Sequence, residues 1–309
     1  MYRHTLRNTI VSGTFTLPVM LGLTAVGWLS WQLYDAAAWG SFCMAVVTAY
    51  CLMELNNGFA LMRMRTRMVS TSFLFLLLLF PAYRQFDLTL SCSLSLVVSY
   101  FMLFNSYQAY RPEGYIFYAF LCVGLGSLAF PPLLAVAPAF YVSMLLFLRS
   151  LTLRSCVAGL MGLALPYWVV LAVKLWSDGA VTMPDPAAWP GLCNPADYAA
   201  VSTTQWVGGG MVAFYSLLAL VHLSRNVLTE KIRTRMLLAT VAAVEVVLLL
   251  LWAVMPARFD VCLHLLIANG SILMAHYFSH GRGRLFDLWF NLTLLLLIGL
   301  GLLNYLNPG

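Results

Sequence analysis

Charged residues are scarce in this sequence: only 9% of its 309 residues are Asp, Glu, Lys or Arg, whereas 62% are hydrophobic. Soluble globular domains carry roughly 25% charged residues, so this chain lacks the polar surface of a water-soluble fold. A chain that spans a bilayer must pair its backbone polar groups internally, which restricts it to α-helices or a closed β-barrel. The apolar runs approach about twenty residues, and the alternating ten-residue strands of a barrel are missing. We therefore predict an all-α polytopic membrane protein.

Paired cysteines, a cleavable signal peptide and catalytic sequence motifs are also lacking. The seven cysteines form no Cys-x-x-Cys pair and nearly all lie in apolar runs, which favours buried thiols over disulfides. The first apolar run has no small-residue cleavage site and is interpreted as a membrane helix. No Walker loop, Rossmann glycine pattern, nucleophile elbow or zinc-protease helix occurs in a suitable context. We therefore predict no catalytic residue and no cofactor.

What the sequence does contain is a series of eleven apolar runs within one transmembrane domain, 1–309. Three of them are short for a hydrocarbon core of about 30 Å, namely 69–83, 114–130 and 132–148. Pro131-Pro132 forces a break between the last two, because proline donates no backbone hydrogen bond. The predicted spans are 10–33, 37–62, 69–83, 88–108, 114–130, 132–148, 151–176, 205–223, 236–255, 261–279 and 286–306.

Basic residues are distributed unevenly between the loops. With the N-terminus on the cytoplasmic side, the inner segments hold 14 of the 17 Lys and Arg residues. This bias follows the positive-inside rule and predicts a cytoplasmic N-terminus and an external C-terminus. It also accounts for the net charge of +6 without a nucleic-acid partner. The external stretch 177–204 contains four prolines and is interpreted as a loop over the outer mouth or a lid beside a site.

Two basic stretches resemble each other and suggest an internal duplication. Arg65–Met68 aligns with Arg233–Met236 at an offset of 168 residues, and a weaker match follows at an offset of 169. The offset corresponds to an even number of spans, so both copies would have the same orientation in the membrane. The alternative is a chance similarity between basic loops. The repeats would cover 10–130 and 151–306, with 132–148 as the connector.

Ionisable residues inside the apolar runs are candidates for function, because an unpaired one costs roughly 2.5–3.5 kcal/mol to insert. Glu245 lies near the middle of its run. Its own helix offers no partner, so Asn269 on the next helix is the expected one. A structural hydrogen bond and a proton or substrate pathway both stay open.

A second polar group lies in the inner half of the second run. Tyr50, Glu54 and Asn57 share one helical face. The repeat alignment puts His222 opposite Glu54, so the two would meet if the halves pack about a pseudo-twofold axis. The alternative is that they are unconnected residues at the membrane interface.

The arginines of the two basic stretches have a structural and a functional interpretation. They anchor the topology, or they contact anionic headgroups or a phosphate-bearing substrate. The arginines concerned are Arg63, Arg65, Arg67, Arg233 and Arg235.

A pair of histidines lies at the end of the tenth run. His276 and His280 are one helical turn apart, a spacing that can chelate a metal. No clear third ligand lies nearby in the sequence, so no metal site is predicted.

Two stretches carry a resemblance to other proteins. In 63–80 a basic loop precedes Ser70–Phe75, and in 266–278 the segment Ile267–Ile272 leads into Ala275–Phe278. These stretches resemble an uncharacterised family of polytopic inner-membrane proteins from Bacteroides-type bacteria. The resemblance implies a bacterial inner membrane and about eleven helices, and it carries no established activity or site residue.

Three functions are consistent with this pattern. The first is a carrier or flippase for an envelope precursor or small anion, based on the duplication, Glu245 and the inner basic residues. The second is a membrane enzyme acting on lipid-linked substrates, such as a polyprenyl-sugar transferase, with Asp35 as the carboxylate in the first external loop. The third is a non-catalytic subunit of a membrane assembly, which would have a membrane-protein partner. Membrane lipids are expected partners in every case.

Overall fold

The computed structural model describes residues 6–13, 15–29, 35–63, 66–176, 195–226, 230–281 and 283–306. These residues form thirteen α-helices with several 3-10 turns, and no strand occurs among them. The helices are α1 (Leu6–Ser12), α2 (Thr16–Leu29), α3 (Ala36–Phe59), α4 (Met68–Leu78), α5 (Ser91–Asn105), α6 (Glu113–Ala129), α7 (Val136–Ser143), α8 (Leu153–Trp176), α9 (Pro195–Ala200), α10 (Thr203–Asn226), α11 (Ile232–Val254), α12 (Phe259–His280) and α13 (Arg284–Leu306).

Eight helical segments in the described ranges are long and apolar enough to cross a membrane, and three further apolar helices are shorter. Each of the eleven predicted spans overlaps one of these segments. Large apolar side chains such as Trp168 and Leu295 are exposed, as expected where lipid is the solvent. The chain is therefore a multi-pass integral membrane protein, as its composition predicts. The number of crossings and the sides of the termini stay predictions.

The first predicted span, 10–33, is not one helix. It includes the end of α1 and the whole of α2, with the non-helical Gly13 between them. The physical reason is Pro18 in the first turn of α2, because proline cannot continue a helix from the residues before it. The Thr16 hydroxyl donates to the Gly13 carbonyl at 2.9 Å and closes the start of α2.

The predicted short span 132–148 is also different in the structure. Pro131–Leu148 is a continuous helical segment of 18 residues and reaches spanning length. It begins as a 3-10 turn at the two prolines, continues as α7 and ends in a π-helical turn. The prolines therefore start this helix, since neither needs an intrahelical donor in the first turn. The other two predicted short spans are indeed short helices, α4 and α6.

The chain divides into two compact units. The first consists of Met1–Asp87, Ala199–Arg235 and Leu266–Gly309, and the second of Leu88–Tyr198 and Met236–Leu265. Both units draw on both halves of the sequence, so they do not coincide with the predicted repeats. The duplication stays a prediction.

The second unit is built around α6, which packs against α5 and α8. Small residues allow a close approach: a Cβ on Gly162 would lie 2.4 Å from the Phe117 carbonyl oxygen. Such contacts between small residues are a common way for membrane helices to associate. The hydroxyls of Ser127 and Tyr167 are 2.8 Å apart and add a hydrogen bond between α6 and α8.

The first unit is joined by side chains that donate to backbone carbonyls. Ser70 on α4 donates to Ala49 on α3 at 2.7 Å, and Asn304 on α13 donates to Leu79 at the end of α4 at 3.0 Å. A further link is an ion pair between α1 and α13, from the Nε of Arg7 to Asp287 at 2.9 Å. In an apolar medium each bond satisfies a carbonyl that has few alternatives.

The six cysteines in the described residues are all free thiols, as predicted. Their burial is less uniform than expected. Cys92 and Cys262 are buried, whereas Cys43 is exposed. An exposed thiol on a membrane helix needs no core position, because lipid solvates it as well as protein does. Cys193 lies outside the described residues.

Candidate functional site

Two basic loops of the first unit lie side by side. One is the loop that follows α3, and the other is the loop into α11 together with the first turn of α11, which contains Arg233, Thr234 and Arg235. The Thr234 hydroxyl donates to the Ala60 carbonyl at 3.4 Å, and the Arg233 guanidinium lies 5.8 Å from the centre of the Phe59 ring. The structure thus brings together the two stretches that the sequence alignment paired.

These loops carry a concentration of positive charge, which we call the basic patch. Four of the five predicted headgroup residues lie in described parts of the chain. Three are exposed and one is half-buried, so they are accessible to anions. The exposed ones are Arg63, Arg67 and Arg233, and the half-buried one is Arg235. Arg65 lies outside the described residues.

Asn56, which the sequence interpretation passed over, shapes the first basic loop. Its amide nitrogen donates to the Thr66 carbonyl at 2.9 Å, and its amide oxygen accepts from the Met62 N–H at 3.1 Å. Ala60 ends the helix in the left-handed conformation, with φ of 48°. The buried amide therefore holds the turn that presents Arg63. An asparagine near a helix end was the available signal.

The same unit contains an apolar cavity of about 260 Å³, lined by α1, α2, α4, α12 and α13. Its walls are mostly Met, Leu and Phe side chains, with four hydroxyl residues among them: Thr16, Thr71, Ser72 and Thr293. Met68, which follows Arg67 directly, is part of the lining, as is Phe278 near the end of α12. The cavity and the basic patch therefore meet at two consecutive residues, Arg67 of the patch and Met68 of the cavity wall. Glu245 is not among its lining residues.

A cluster of ionisable side chains lies at the end of α12. The rings of His276 and His280 are stacked, with centroids 4.2 Å apart. Glu230, two residues before the start of α11, forms an ion pair with the Nε2 of His280 and lies 3.9 Å from the Nε2 of His276. The Ser279 hydroxyl contacts the Met62 sulfur at 3.8 Å, so this cluster adjoins the first basic loop.

The sequence offered no third ligand near the histidine pair, but the fold supplies Glu230. This carboxylate comes 46 residues before His276. It lies in a loop, where hydropathy does not distinguish it from any other solvated charge. Only packing brings it to α12.

The predicted pairing of Glu54 with His222 does not form. The His222 ring instead packs on His276 and Tyr277, with centroids 6.2 and 5.0 Å away. Glu54 makes no hydrogen bond or ion pair with any residue that the structure describes.

The helical phase of α3 explains this outcome. Its buried face contains Leu52, Leu55 and Asn56. The predicted polar stripe lies on other faces: Tyr50 is 58% exposed, Asn57 is exposed and Glu54 is half-buried. The stripe is therefore a surface feature of α3.

Glu245 and Asn269 are both buried, as expected for polar groups inside membrane helices. Glu245 is fully buried in the second unit, and the buried Tyr100 on α5 is among its electrostatic neighbours. Asn269 is 1% exposed and belongs to the first unit. Their pairing stays a prediction.

Asp35 and the stretch 177–204 are both predicted to be external, and the structure describes the first fully and the second only at its end. The Asp35 carboxylate accepts from the Ala37 N–H at 2.9 Å and is the N-cap of α3. Most of the predicted loop or lid, residues 177–194, lies outside the described residues. Its end forms α9, from which the Tyr198 hydroxyl donates to the Ala253 carbonyl at 2.6 Å.

Comparisons with protein-family models, curated proteins and solved structures give no match for this chain.

Proposed function

We propose that this protein is a carrier for an anionic, lipid-like envelope precursor in the cytoplasmic membrane of a bacterium. The observation that carries the proposal is the apolar cavity beside the basic patch, both within the first unit. An amphiphile has the matching chemistry, since its hydrocarbon chain suits the cavity and its headgroup suits the arginines.

The volume and the apolar lining of the cavity limit the class of substrate that it can hold. At about 260 Å³ it is slightly smaller than typical ligand pockets, which run from roughly 300 to 1,000 Å³. It suits one hydrocarbon chain better than a bulky sugar headgroup. A small anion inside it would lose its hydration and find only four hydroxyl residues, which is costly. A lipid-like substrate is therefore better supported than a free anion.

The enzymatic alternative has less support. Its candidate carboxylate, Asp35, already accepts the Ala37 N–H as a helix cap. Replacing a cap costs stability, typically about 1 kcal/mol, whatever the chemistry of the loop. Asp35→Ala that removed an envelope glycan while leaving the protein folded would favour that alternative.

Lipid movement in proteoliposomes tests the carrier. The purified protein is reconstituted with fluorescent phosphatidylglycerol or phosphatidylcholine, and dithionite measures the fraction of label that reaches the outer leaflet. We expect rapid exposure of the anionic lipid and slow exposure of the zwitterionic one. Equal, protein-independent rates for both would contradict the proposal.

Matched variants distinguish the contribution of the cavity to lipid movement from the contribution of the basic patch. Ser72→Trp fills the cavity and is expected to abolish movement, whereas Ser224→Trp, on an exposed face of α10, is its control. Removing charge with Arg63→Gln and Arg233→Gln is expected to reduce the preference for the anionic lipid. Arg154→Gln, an exposed arginine of the second unit, should leave that preference unchanged.

Glu245 is the candidate for proton coupling, because a fully buried carboxylate can exchange a proton without leaving its site. If it couples, an imposed pH gradient accelerates lipid movement in the wild type and not in Glu245→Gln. Acceleration that persists in Glu245→Gln would assign this residue a structural role only. The carrier proposal itself depends on movement without a gradient, so the two outcomes are distinguishable.

A further inference from the structure

We infer that Glu230, His276 and His280 form a binding site for a divalent transition-metal ion of the zinc class. This site goes beyond the proposed carrier function. One atom from each residue, a carboxylate oxygen or a ring nitrogen, lies within 4.8 Å of the other two. Ligand atoms around one tetrahedral Zn²⁺ lie roughly 3.4 Å apart, given bonds of about 2.0–2.2 Å. Small side-chain rotations therefore bring the three donors to a common ion.

The donor atoms of the three side chains are buried, which favours a bound ion. The His276 side chain is 2% exposed and the Glu230 side chain 6%. The Oε1 of Glu230 and the Nε2 atoms of both histidines are buried, and apart from the ion pair between Glu230 and His280 they have no hydrogen-bond partner among the described residues. Buried polar atoms nearly always have a hydrogen-bond partner, and a bound ion is one way to satisfy those that do not. Three of them face one another here.

The orientation of His280 is the second, independent argument. Its Nδ1 lies 3.2 Å from the His276 carbonyl oxygen. The Ser279 hydroxyl is also 3.3 Å from this Nδ1. The Nε2 of the same ring faces the carboxylate of Glu230. In the tautomer that carries its proton on Nδ1, the lone pair of Nε2 points at the carboxylate oxygen, and a cation between these two atoms would be bound by both.

This arrangement is also what metal sites use around their ligands. A ligating histidine usually donates its other ring N–H to a carbonyl or carboxylate, which fixes the tautomer and the ring orientation. The spacing of four residues on α12 puts the two imidazoles on one face, as their stacking at 4.2 Å shows. Imidazole and carboxylate donors together suit Zn²⁺ among the abundant metals.

His222 lies beside the cluster without being one of the three donors. Its ring centroid is 6.2 Å from that of His276, and its Nδ1 is buried without a hydrogen-bond partner among the described residues. Three protein donors leave one position of a tetrahedral zinc ion open. The ion would join the end of α12 to the segment just before α11.

Metal titration of the full-length protein tests the site. The protein in detergent is stripped with a chelator, and Zn²⁺ alone is then added while bound metal and thermal stability are measured. We expect one Zn²⁺ per chain and a higher Tm with the ion. Co²⁺ in place of Zn²⁺ should give the visible absorption bands of a tetrahedral site, which tests the inference without any substitution.

Substitutions locate the site. Glu230→Gln, His276→Gln and His280→Gln should each weaken Zn²⁺ binding at least about tenfold, since even residues behind the ligands contribute 10–100-fold. The control is His264→Gln, a buried histidine on the same helix that belongs to the second unit. Its Zn²⁺ affinity should equal that of the wild type.

Two results would overturn the inference. One is a wild-type protein that binds no more Zn²⁺ than the triple variant and shows no Co²⁺ bands. The other is that Glu230→Gln and His280→Gln lower the Tm equally with and without Zn²⁺, while no ion binds. That outcome would identify the cluster as an ion pair between a protonated histidine and the carboxylate. Folding of each variant is checked by size-exclusion chromatography and far-UV circular dichroism.

Discussion

The two compact units contain buried carboxylates with different surroundings. Glu230 of the first unit lies in a loop beside the two histidines at the end of α12. Glu245 of the second unit lies in the middle of α11, with Tyr100 among its electrostatic neighbours. A charged group at a helix end can be gathered into a polar cluster of loop residues. A carboxylate inside an apolar run cannot reach the polar loops, so it needs a proton or a hydrogen-bond partner at its own depth in the membrane. The first arrangement permits ion or headgroup chemistry, and the second favours a fixed or proton-exchanging group.

The units also differ in what holds their helices together. In the second unit, α6 and α8 approach through glycines that leave no space for a side chain. In the first unit, serine, threonine and asparagine side chains donate to backbone carbonyls around an apolar cavity. Close packing tolerates little change in volume, whereas a hydrogen-bonded frame leaves room for a ligand. The comparison predicts different sensitivities to substitution.

The largest effect is expected at Gly162 in the second unit. Gly162→Val puts a branched side chain against the Phe117 carbonyl, which a Cβ alone would approach to 2.4 Å. A backbone atom cannot move aside cheaply, so we expect a loss of about 3 kcal/mol or more, at or beyond the upper end for overpacking. Thermal unfolding in detergent measures it.

The matched control is Gly210→Ala on α10, where an added Cβ has no neighbour within 4 Å. Its stability should be unchanged or slightly raised, because alanine favours a helix by up to about 1 kcal/mol over glycine. Equal losses at both glycines would remove the contrast in packing.

A smaller effect is expected at Asn56 in the first unit. Asn56→Ala leaves the Met62 N–H and the Thr66 carbonyl without their partner. We expect a loss of about 2 kcal/mol, within the range for unsatisfied buried groups. Its neighbour Asn57 is exposed, so Asn57→Ala should cost much less. The same unfolding measurement applies, and a reversed order would show that the loop turn does not depend on the buried amide.

The smallest effect is expected at Glu54. It is half-buried and has no hydrogen bond or ion pair in the described part of the chain. Glu54→Gln should change stability by no more than about 0.5 kcal/mol, as for other surface substitutions. A clearly larger loss, measured in the same way, would point to a partner for Glu54 in the membrane or in another protein.

Much of the fold could be predicted because few structures are possible in lipid. Composition alone excluded a soluble protein, and the length of the apolar runs favoured helices over a barrel. The same reasoning identified Glu245 as an interior group, and it is fully buried. The break in the first run was missed because hydropathy does not register Pro18, whereas backbone hydrogen bonding does.

The candidate site was less predictable for a physical reason. In a soluble protein, the apolar side of a helix indicates its buried face, but a membrane helix is apolar on all sides. The sequence therefore could not say that Asn56 faces inward and Asn57 outward. It also could not link Glu230 to His276, since that contact depends on how α12 packs beside a distant loop.

The sequence by itself determined the class of molecule, because a chain with so few charges can satisfy its backbone only as helices in a membrane. It also determined which loops are basic. The tertiary structure decided which polar groups meet: the two basic loops with each other, and Glu230 with the histidines of α12. These contacts join residues that are far apart in the chain, so they exist only once the helices have packed.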